Sequence, residues 1–326
     1  MLRSFTFYGK MNVADINMKY LIIGGGGFVG SWLTRDLISK GNSVVIIDPF
    51  IYYSDLDKDR LRKINNFKKE YLLKGANIYH EKFEDKGEKI LKKEKPNILI
   101  HLAGIPLERT DDIAISLKQL TDDVALTYRI IEAAKKVPIK KFVFMSSISA
   151  YGDCGDTIDE NYRLLPKTPY GVSKASNEFL IKALLNNWNI IRTTNIYGFA
   201  DLNERACNII VDKILKGKNF WINKNIMMDF IYVKDLIAGI TVVSLKAPAK
   251  ETFHISGNNA ISLIKFVKIL KKHFTFEYEI KNIQDRPRRG TMNNAKARKV
   301  LGWFPKMSIE KGVSDYIKYV KEYGIA

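Results

Sequence analysis

Short apolar runs alternate with longer amphipathic stretches up to about residue 195. YLIIG (20–24), SVVIID (43–48), NILIHLA (97–103), KFVFMS (141–146) and NIIRTT (189–194) have the length and composition of strands, and ANIYH (76–80) is a weaker one. Between the first two, FVGSWLTRDLISK (28–40) places its apolar residues at helical spacing. Further helices are predicted over about 55–74, between 80 and 97, over about 114–136, and from Pro169 to about Asn186. Runs that are apolar on successive residues suit strands buried on both faces. Strand–helix alternation of this kind predicts an α/β fold, a doubly wound parallel sheet covered on both sides. After about residue 195 the rhythm loosens. Short strands (FWIN, FIYV, TFHIS, FEYEIKNI) mix with helices at about 205–216, 235–246, 262–273 and 309–322, which predicts a smaller C-terminal α+β lobe. The expected division is an extension over 1–17, a sheet domain over 18–190, and a lobe over 191–326 that is partly interleaved with it.

Composition narrows the classes. No apolar run reaches the ~18 residues of a membrane span, and the N-terminus has no continuous apolar core of a signal peptide. Cys154 and Cys207 do not make a disulfide framework, and the four histidines (80, 101, 254, 273) lack metal-ligand spacing. A cytoplasmic protein without a metal site is expected. Lys and Arg outnumber Asp and Glu by 53 to 35, a formal charge of +18, which favours anionic partners. The basic residues are spread through several segments and do not form an arm, so a solvated basic surface is the favoured account of them.

The turn after the first strand reads LIIGGGGFVGSW. Gly24, Gly27 and Gly30 give G-x-x-G-x-x-G, with Phe28 and Val29 opening the helix. Glycine allows the tight turn and the close approach of a pyrophosphate, and the helix N-terminus supplies free N–H groups and a positive dipole end. A glycine run alone is a weak signal. Here it follows an apolar strand, opens an amphipathic helix and precedes Asp48 at the next strand end, the context of a Rossmann-type dinucleotide site. A carboxylate at Asp48 can accept both adenosine ribose hydroxyls and would repel a 2′-phosphate, which favours NAD over NADP. The alternative is that Asp48 caps the turn DPF.

Three more segments follow in order: HLAG (101–104), MSSISAYG (145–152) and TPYGVSKASNE (168–178). With the glycine loop, and with RTTNIYG (192–198), DFIYVKD (229–235) and RPRRG…LGWFP (286–305), the chain resembles the extended short-chain dehydrogenase/reductase family, within it the nucleotide-sugar epimerase/dehydratase group. The resemblance covers about residues 18–322. It implies that Tyr170 is the catalytic acid/base, that Lys174 is its helper and also bonds the nicotinamide ribose, and that Ser147 hydrogen-bonds the reacting hydroxyl. It places Leu102, Ala103 and Gly104 against the cofactor and Asn195 and Arg286 on the sugar nucleotide, and implies a homodimer. The chemistry agrees: a free phenol titrates near ~10, and an ammonium one helical turn away favours the phenolate. His101 is expected to pack at a strand end. There are departures. Ile23 stands where threonine is frequent, EKFED (81–85) where a Gly-Asp pair meets the adenine, Asp122 and Asp123 where asparagines are common, and Met228 where an arginine holds the diphosphate.

A 4,6-dehydratase of this group carries Asp-Glu directly after the Ser/Thr. Here Ile148 and Ser149 follow Ser147, so elimination is not expected, and a decarboxylating synthase is disfavoured too. Two reactions remain. In a 4-epimerase, Tyr170 takes the 4-hydroxyl proton, NAD oxidises C4, the keto-sugar turns over, and reduction follows on the other face. In a ketoreductase, a reduced cofactor acts once on a 4-keto-6-deoxysugar and leaves. Asp48 points to NAD, which suits a redox-neutral cycle, and IYYSDLDKDRL (51–61) is similar to the segment after the second strand of 4-epimerases, so the epimerase is favoured. A third class is a non-catalytic dinucleotide sensor or RNA-binding protein of the same fold. Intact Ser147, Tyr170 and Lys174 argue against it, and neither a nucleic-acid nor a membrane partner is expected.

Overall fold

The computed structural model describes residues 17–52, 57–107, 112–203, 205–257, 259–283 and 290–323. Nearly all of the expected N-terminal extension, and Arg286, therefore lie outside the described residues.

Seven parallel strands form the main sheet: β1 (Lys19–Ile23), β2 (Ser43–Ile47), β3 (Asn77–Tyr79), β4 (Ile98–His101), β5 (Lys141–Ser147), β7 (Trp188–Thr193) and β11 (Glu251–Ile255), in the spatial order β11-β7-β5-β4-β1-β2-β3. A two-residue β6 (Thr157–Ile158) lies outside it. Side chains alternate across the sheet. Tyr20 and Ile22 of β1 join one core with Val44, Ile46, Ile98 and Ile100, whereas Leu21 and Ile23 join the other with Val45, Ile47 and Leu99. Both faces being covered is why these strands read as unbroken apolar runs. On the first face lie α1 (Phe28–Ser39) and, after α2 (Lys58–Phe67), a π turn over Lys68–Leu72. On the second lie α3 (Glu88–Glu94), α4 (Ile113–Ala134) and α5 (Pro169–Leu184). The chain runs outward from β1 through β2 and β3, then returns to β4 on the other side of β1. A ligand crevice opens at such a reversal, beyond the strand C-termini.

The lobe holds a three-stranded sheet, β12-β10-β8, made of β8 (Asn195–Tyr197), β10 (Met227–Tyr232) and β12 (Ala260–Ser262). Beside it a two-stranded ribbon pairs β9 (Trp221–Asn223) with β13 (Glu279–Lys281), and a second pairs β6 with β14 (Thr291–Met292). Helices α6 (Ala206–Leu215), α8 (Leu263–Leu270), α9 (Ala295–Leu301) and α10 (Ile309–Glu322) complete it, and α9 was not expected from the sequence. One expectation is corrected. TFHIS does not stay with the lobe: α7 (Val233–Lys246) carries the chain back, and β11 pairs with β7, Phe253 opposite Ile191, as the sheet's edge strand. Lobe and sheet share the first core, in which Tyr197, Phe230, Phe266 and Tyr316 are contiguous with Trp32 and Ile191.

Beneath the site, Arg192 on β7 binds Glu178 on α5 through two parallel hydrogen bonds, Nε to Oε1 at 2.9 Å and Nη2 to Oε2 at 2.6 Å, both side chains buried. The Arg192 Nη1 also donates to the Tyr151 hydroxyl at 2.6 Å and to the Glu160 carbonyl. His254 donates from Nδ1 to the Asn293 carbonyl, leaving Nε2, 2.5 Å from the Tyr151 oxygen, to accept the phenolic proton. Burial pushes the Glu178 carboxyl up, but the Arg192 hydrogen bonds and charge bring it below its ordinary value. Arg192→Met should strand a buried carboxylate and cost about 3–5 kcal/mol, measured by urea unfolding near neutral pH. The loss should shrink in acid, because the pair stabilises the fold above the unfolded carboxyl pKa of about 4.3 and ceases to do so as pH falls through the lower folded value. A cost that is small and flat with pH would mean the pair is solvated.

Candidate functional site

A cavity of about 980 Å³ opens at the C-terminal ends of β1, β4 and β5 and runs toward the lobe, at the upper end of the ~300–1,000 Å³ of small-molecule sites. Every described residue that the sequence singled out lines it: Gly24, Gly27, Phe28, Val29, Gly30, Asp48, Leu102, Ala103, Gly104, Ser147, Tyr170, Lys174 and Asn195.

The glycine loop is built for close approach. Gly24 sits at φ +84°, and a Cβ there would lie 2.6 Å from the Ala103 nitrogen. A Cβ on Gly30 would lie 2.5 Å from the Gly24 oxygen, so the first turn of α1 seats directly on the loop. α1 starts after Gly27 with no side-chain cap and no acid in its first turn. Its N-terminal N–H groups and dipole are thus left for a ligand anion. This cradle, with a carboxylate at the end of β2, fits a dinucleotide.

Asp48 is buried and caps the turn after β2. Its Oδ1 accepts the Phe50 N–H at 2.6 Å, which caps the turn, and its Oδ2 accepts the Gly26 N–H at 2.8 Å. Each carboxylate oxygen has a further lone pair for a ribose hydroxyl. Burial raises its pKa against these hydrogen bonds and the Lys68 charge. Lys68 was not anticipated. Only 2% exposed, it lies beneath the loop and donates to the Gly26 carbonyl at 3.2 Å. Burial pulls its pKa down to about 8 despite the nearby Asp201 and Asp48 charges. In the sequence it is one lysine of a basic run, and no local pattern marks it.

The wall of the cavity beyond β5 is held by α5. Thr168 caps it, accepting the Gly171 N–H at 3.1 Å, and Pro169 at the first position presets its backbone angle. Tyr170 and Lys174 then stand one turn apart, with Lys174 Nζ 5.6 Å from the Tyr170 ring centre and 5.1 Å from that of Phe144. Lys174 is buried and donates to the Met145 carbonyl at 3.4 Å. A Cβ on Gly171 would clash with the Ser149 oxygen, so α5 packs tightly on the turn after β5. In that turn Ser147 accepts the Ser149 N–H and donates to the Ser149 hydroxyl, each at 3.1 Å. His101 packs as expected: its Nε2 meets the Thr127 hydroxyl at 2.9 Å, and burial, followed by the Lys174 charge, lowers its pKa to about 3, so it is neutral.

On the lobe side, Asn195 spends its amide on the Asp229 carbonyl at 3.1 Å, and Met228 lines the wall. Arg205 and Lys213 line the same side. Among the described lining residues from Asn195 onward, those two carry charge and none is acidic. Among the described residues no group of His, Cys, Asp or Glu could hold a metal, and no helix is long and apolar enough to cross a membrane.

A family model described as the NAD dependent epimerase/dehydratase family matches residues 20–256. An uncharacterized UDP-glucose epimerase of Bacillus subtilis (strain 168) is 27% identical over 93% of this chain and 98% of its own length. A dTDP-glucose 4,6-dehydratase of Neisseria meningitidis serogroup B is 26% identical over 92% of each. Among solved structures, the UDP-glucuronic acid 4-epimerase of Bacillus cereus, in complex with UDP-glucuronic acid and NAD, is 25% identical with a TM-score of 0.83, covering 94% of this chain and 99% of that one.

Asp48 gives a direct test. NAD(H) should bind at least about tenfold more tightly than NADP(H), a difference of about 1.4 kcal/mol, when both are titrated against intrinsic fluorescence. Asp48→Ala should narrow the gap, with NADP(H) gaining most because the buried Lys68 charge loses its countercharge. Equal affinities in the unsubstituted protein would exclude the ribose role.

Proposed function

This chain belongs to the NAD dependent epimerase/dehydratase family, and from that premise we propose that it is a nucleotide-sugar 4-epimerase working on retained NAD. The observation that carries the reading is the wall formed by Ser147, Tyr170 and Lys174, with Ile148 and Ser149 directly after Ser147. Neither of those two side chains can exchange a proton with the sugar at C5 or C6, which separates this chain from an elimination enzyme. The named relatives include epimerases of UDP sugars, one of them a 4-epimerase, and a dehydratase, and this pair of residues favours the former.

Bound NAD supplies the oxidation of the sugar at C4 and its reversal. The protein supplies the rest. Tyr170, as phenolate, takes the 4-hydroxyl proton and returns it after the ketone has turned. Ser147 holds the reacting oxygen by a hydrogen bond. The Lys174 ammonium favours the phenolate and meets the ribose of the cofactor. The glycine loop and α1 hold the pyrophosphate, Asp48 holds the ribose diol, and Leu102, Ala103 and Gly104 allow close approach of the cofactor. Asn195 and Arg286 hold the nucleoside diphosphate. Arg205 and Lys213 supply positive charge on the side where Met228 offers none. For assembly we carry forward a homodimer. Leu117 and Tyr128 of α4, with Val172 and Phe179 of the adjoining α5, are exposed and give it an apolar face.

Two substitutions test this. Tyr170→Phe keeps the ring and removes the proton carrier, so turnover should fall by about 10²-fold or more while NAD binding and melting temperature change little. Interconversion of 4-epimers on a panel of UDP-, dTDP-, CDP- and GDP-sugars is the assay. Near-normal turnover in the variant would mean another residue is the base, and stoichiometric consumption of NADH with a reduced deoxysugar product would identify a ketoreductase. Arg286→Ala should raise KM far more than it lowers kcat, because the diphosphate is remote from C4 and its binding is uniform between ground and transition states. A charge-assisted hydrogen bond worth about 1.5–3 kcal/mol sets the loss at about ten- to a hundredfold. An unchanged KM would remove the diphosphate from that position.

A further inference from the structure

Among the described acids that line the cavity, one buried carboxyl has no part in this mechanism. Asp123, on α4, is 6% exposed and lines the cavity. Its two oxygens share the Ile105 N–H at 3.1 and 3.2 Å, and one turn earlier Gln119 donates to the Ile105 carbonyl at 3.1 Å. So α4 grips both polar groups of one residue in the loop after β4. A neutral amide at 123 would grip as well, since its oxygen accepts the same N–H. The grip therefore does not account for a charge, which is costly to bury unless it is compensated.

Lys174 provides the compensation. Its Nζ lies 3.3 Å, and the Asp123 Oδ2 3.4 Å, from the point that a Cβ on Gly104 would occupy. The two head groups flank the space that Gly104 leaves open. Asp122 on the same helix and Glu84 on the 83–87 turn oppose ionisation of Asp123, Lys174 favours it, and His101 on β4, which faces Lys174, is neutral. Burial is the largest influence on the Asp123 carboxyl and pushes it up, with the Lys174 charge and the Ile105 N–H pulling it back.

We propose that Asp123 is the buried countercharge of Lys174 and sets the pH at which the Tyr170–Lys174 pair is ready to accept a proton. It is a positioning residue, acting through Lys174 and touching neither substrate nor reacting atoms. With Asp123 ionised, part of the ammonium field at Tyr170 is cancelled and the phenol holds its proton more tightly. With the charge removed, the phenolate forms at lower pH. This inference rests on the acid–base role given to Tyr170 above.

Asp123→Asn removes the charge and keeps an oxygen for the Ile105 N–H. Tyrosinate absorbance is titrated on NAD-saturated protein, with and without Tyr170→Phe, both in the otherwise unsubstituted chain and in the Asp123→Asn background. The difference within each background isolates one phenol among the 16 tyrosines and needs no sugar substrate. The Tyr170 midpoint should be lower by about one pH unit in Asp123→Asn, and the acid limb of kcat/KM should move the same way. Gln119→Ala, which weakens the grip and keeps the charge, should lower the melting temperature and leave the midpoint in place. If Asp123→Asn does not fold, Asp123→Ser gives the same readout. A Tyr170 that titrates at one midpoint in both backgrounds overturns this inference alone. A Tyr170 that does not titrate in either overturns its acid–base role, and this inference with it.

Discussion

Where β1 ends, the backbone of Gly24 runs so close to that of Ala103 that a Cβ on Gly24 would sit 2.6 Å from the Ala103 nitrogen. The rest of the site depends on this contact. β1 and β4 are neighbours only because the chain reverses direction across the sheet between them, and the reversal opens the crevice. A side chain on Gly24 would wedge the two turns apart and lift the N-terminus of α1, since α1 is itself seated on the Gly24 carbonyl through Gly30. One backbone-to-backbone approach thus fixes where helix N–H groups, the Asp48 carboxylate and the loop after β4 converge.

The cavity lies between two buried lysine–aspartate couples. At one end Lys68 is below the glycine loop and feels the charge of Asp48; at the other Lys174 is beside Tyr170 and feels that of Asp123. Each carboxylate is also held by backbone N–H groups, from Gly26 and Phe50 in one case and Ile105 in the other. Buried charges of both signs, fixed by the main chain, make a polar interior that does not need to reorganise when a ligand enters, which is the condition for electrostatic catalysis. Behind it the Arg192–Glu178 pair ties β7 to α5, the helix that carries Tyr170 and Lys174.

The sheet was legible because its strands are buried on both faces and flank helices of clear period. The glycine loop and the carboxylate at the end of β2 were legible because each is a local pattern with a local physical cause, whereas Ser147, Tyr170 and Lys174 were marked by the family resemblance. What was not legible is what the fold assembles from distant parts. TFHIS has the composition of any short strand, and only its pairing with β7 shows that it edges the main sheet. Lys68 is one cation in a basic stretch until the π turn buries it under Gly26. Asp123 stood out in the sequence as an unusual residue, but its partner Lys174 is on another helix, and Gly104, which leaves the space between them, is on a third segment. Local propensity marks elements, whereas burial of charge is decided by tertiary contacts.

The same division runs through the cavity's charge. The acids that line it, Asp48, Glu81, Glu84, Asp122 and Asp123, all belong to segments between β2 and α4, while the described lining from Asn195 onward carries Arg205 and Lys213 and no acid. A dinucleotide needs carboxylate at its ribose and free N–H groups at its pyrophosphate, and the sheet side has both. The positive charge of the described lobe-side lining stands at α6, on Lys213 and on Arg205 just before the helix, and not on β10 where Met228 stands. An arginine on β10 would hold a phosphate from a strand, at a fixed point. Cations on α6 and on the segment just before it stand on a different wall of the cavity. Met228 therefore leaves the lobe side with positive charge, carried at a helix and not on a strand.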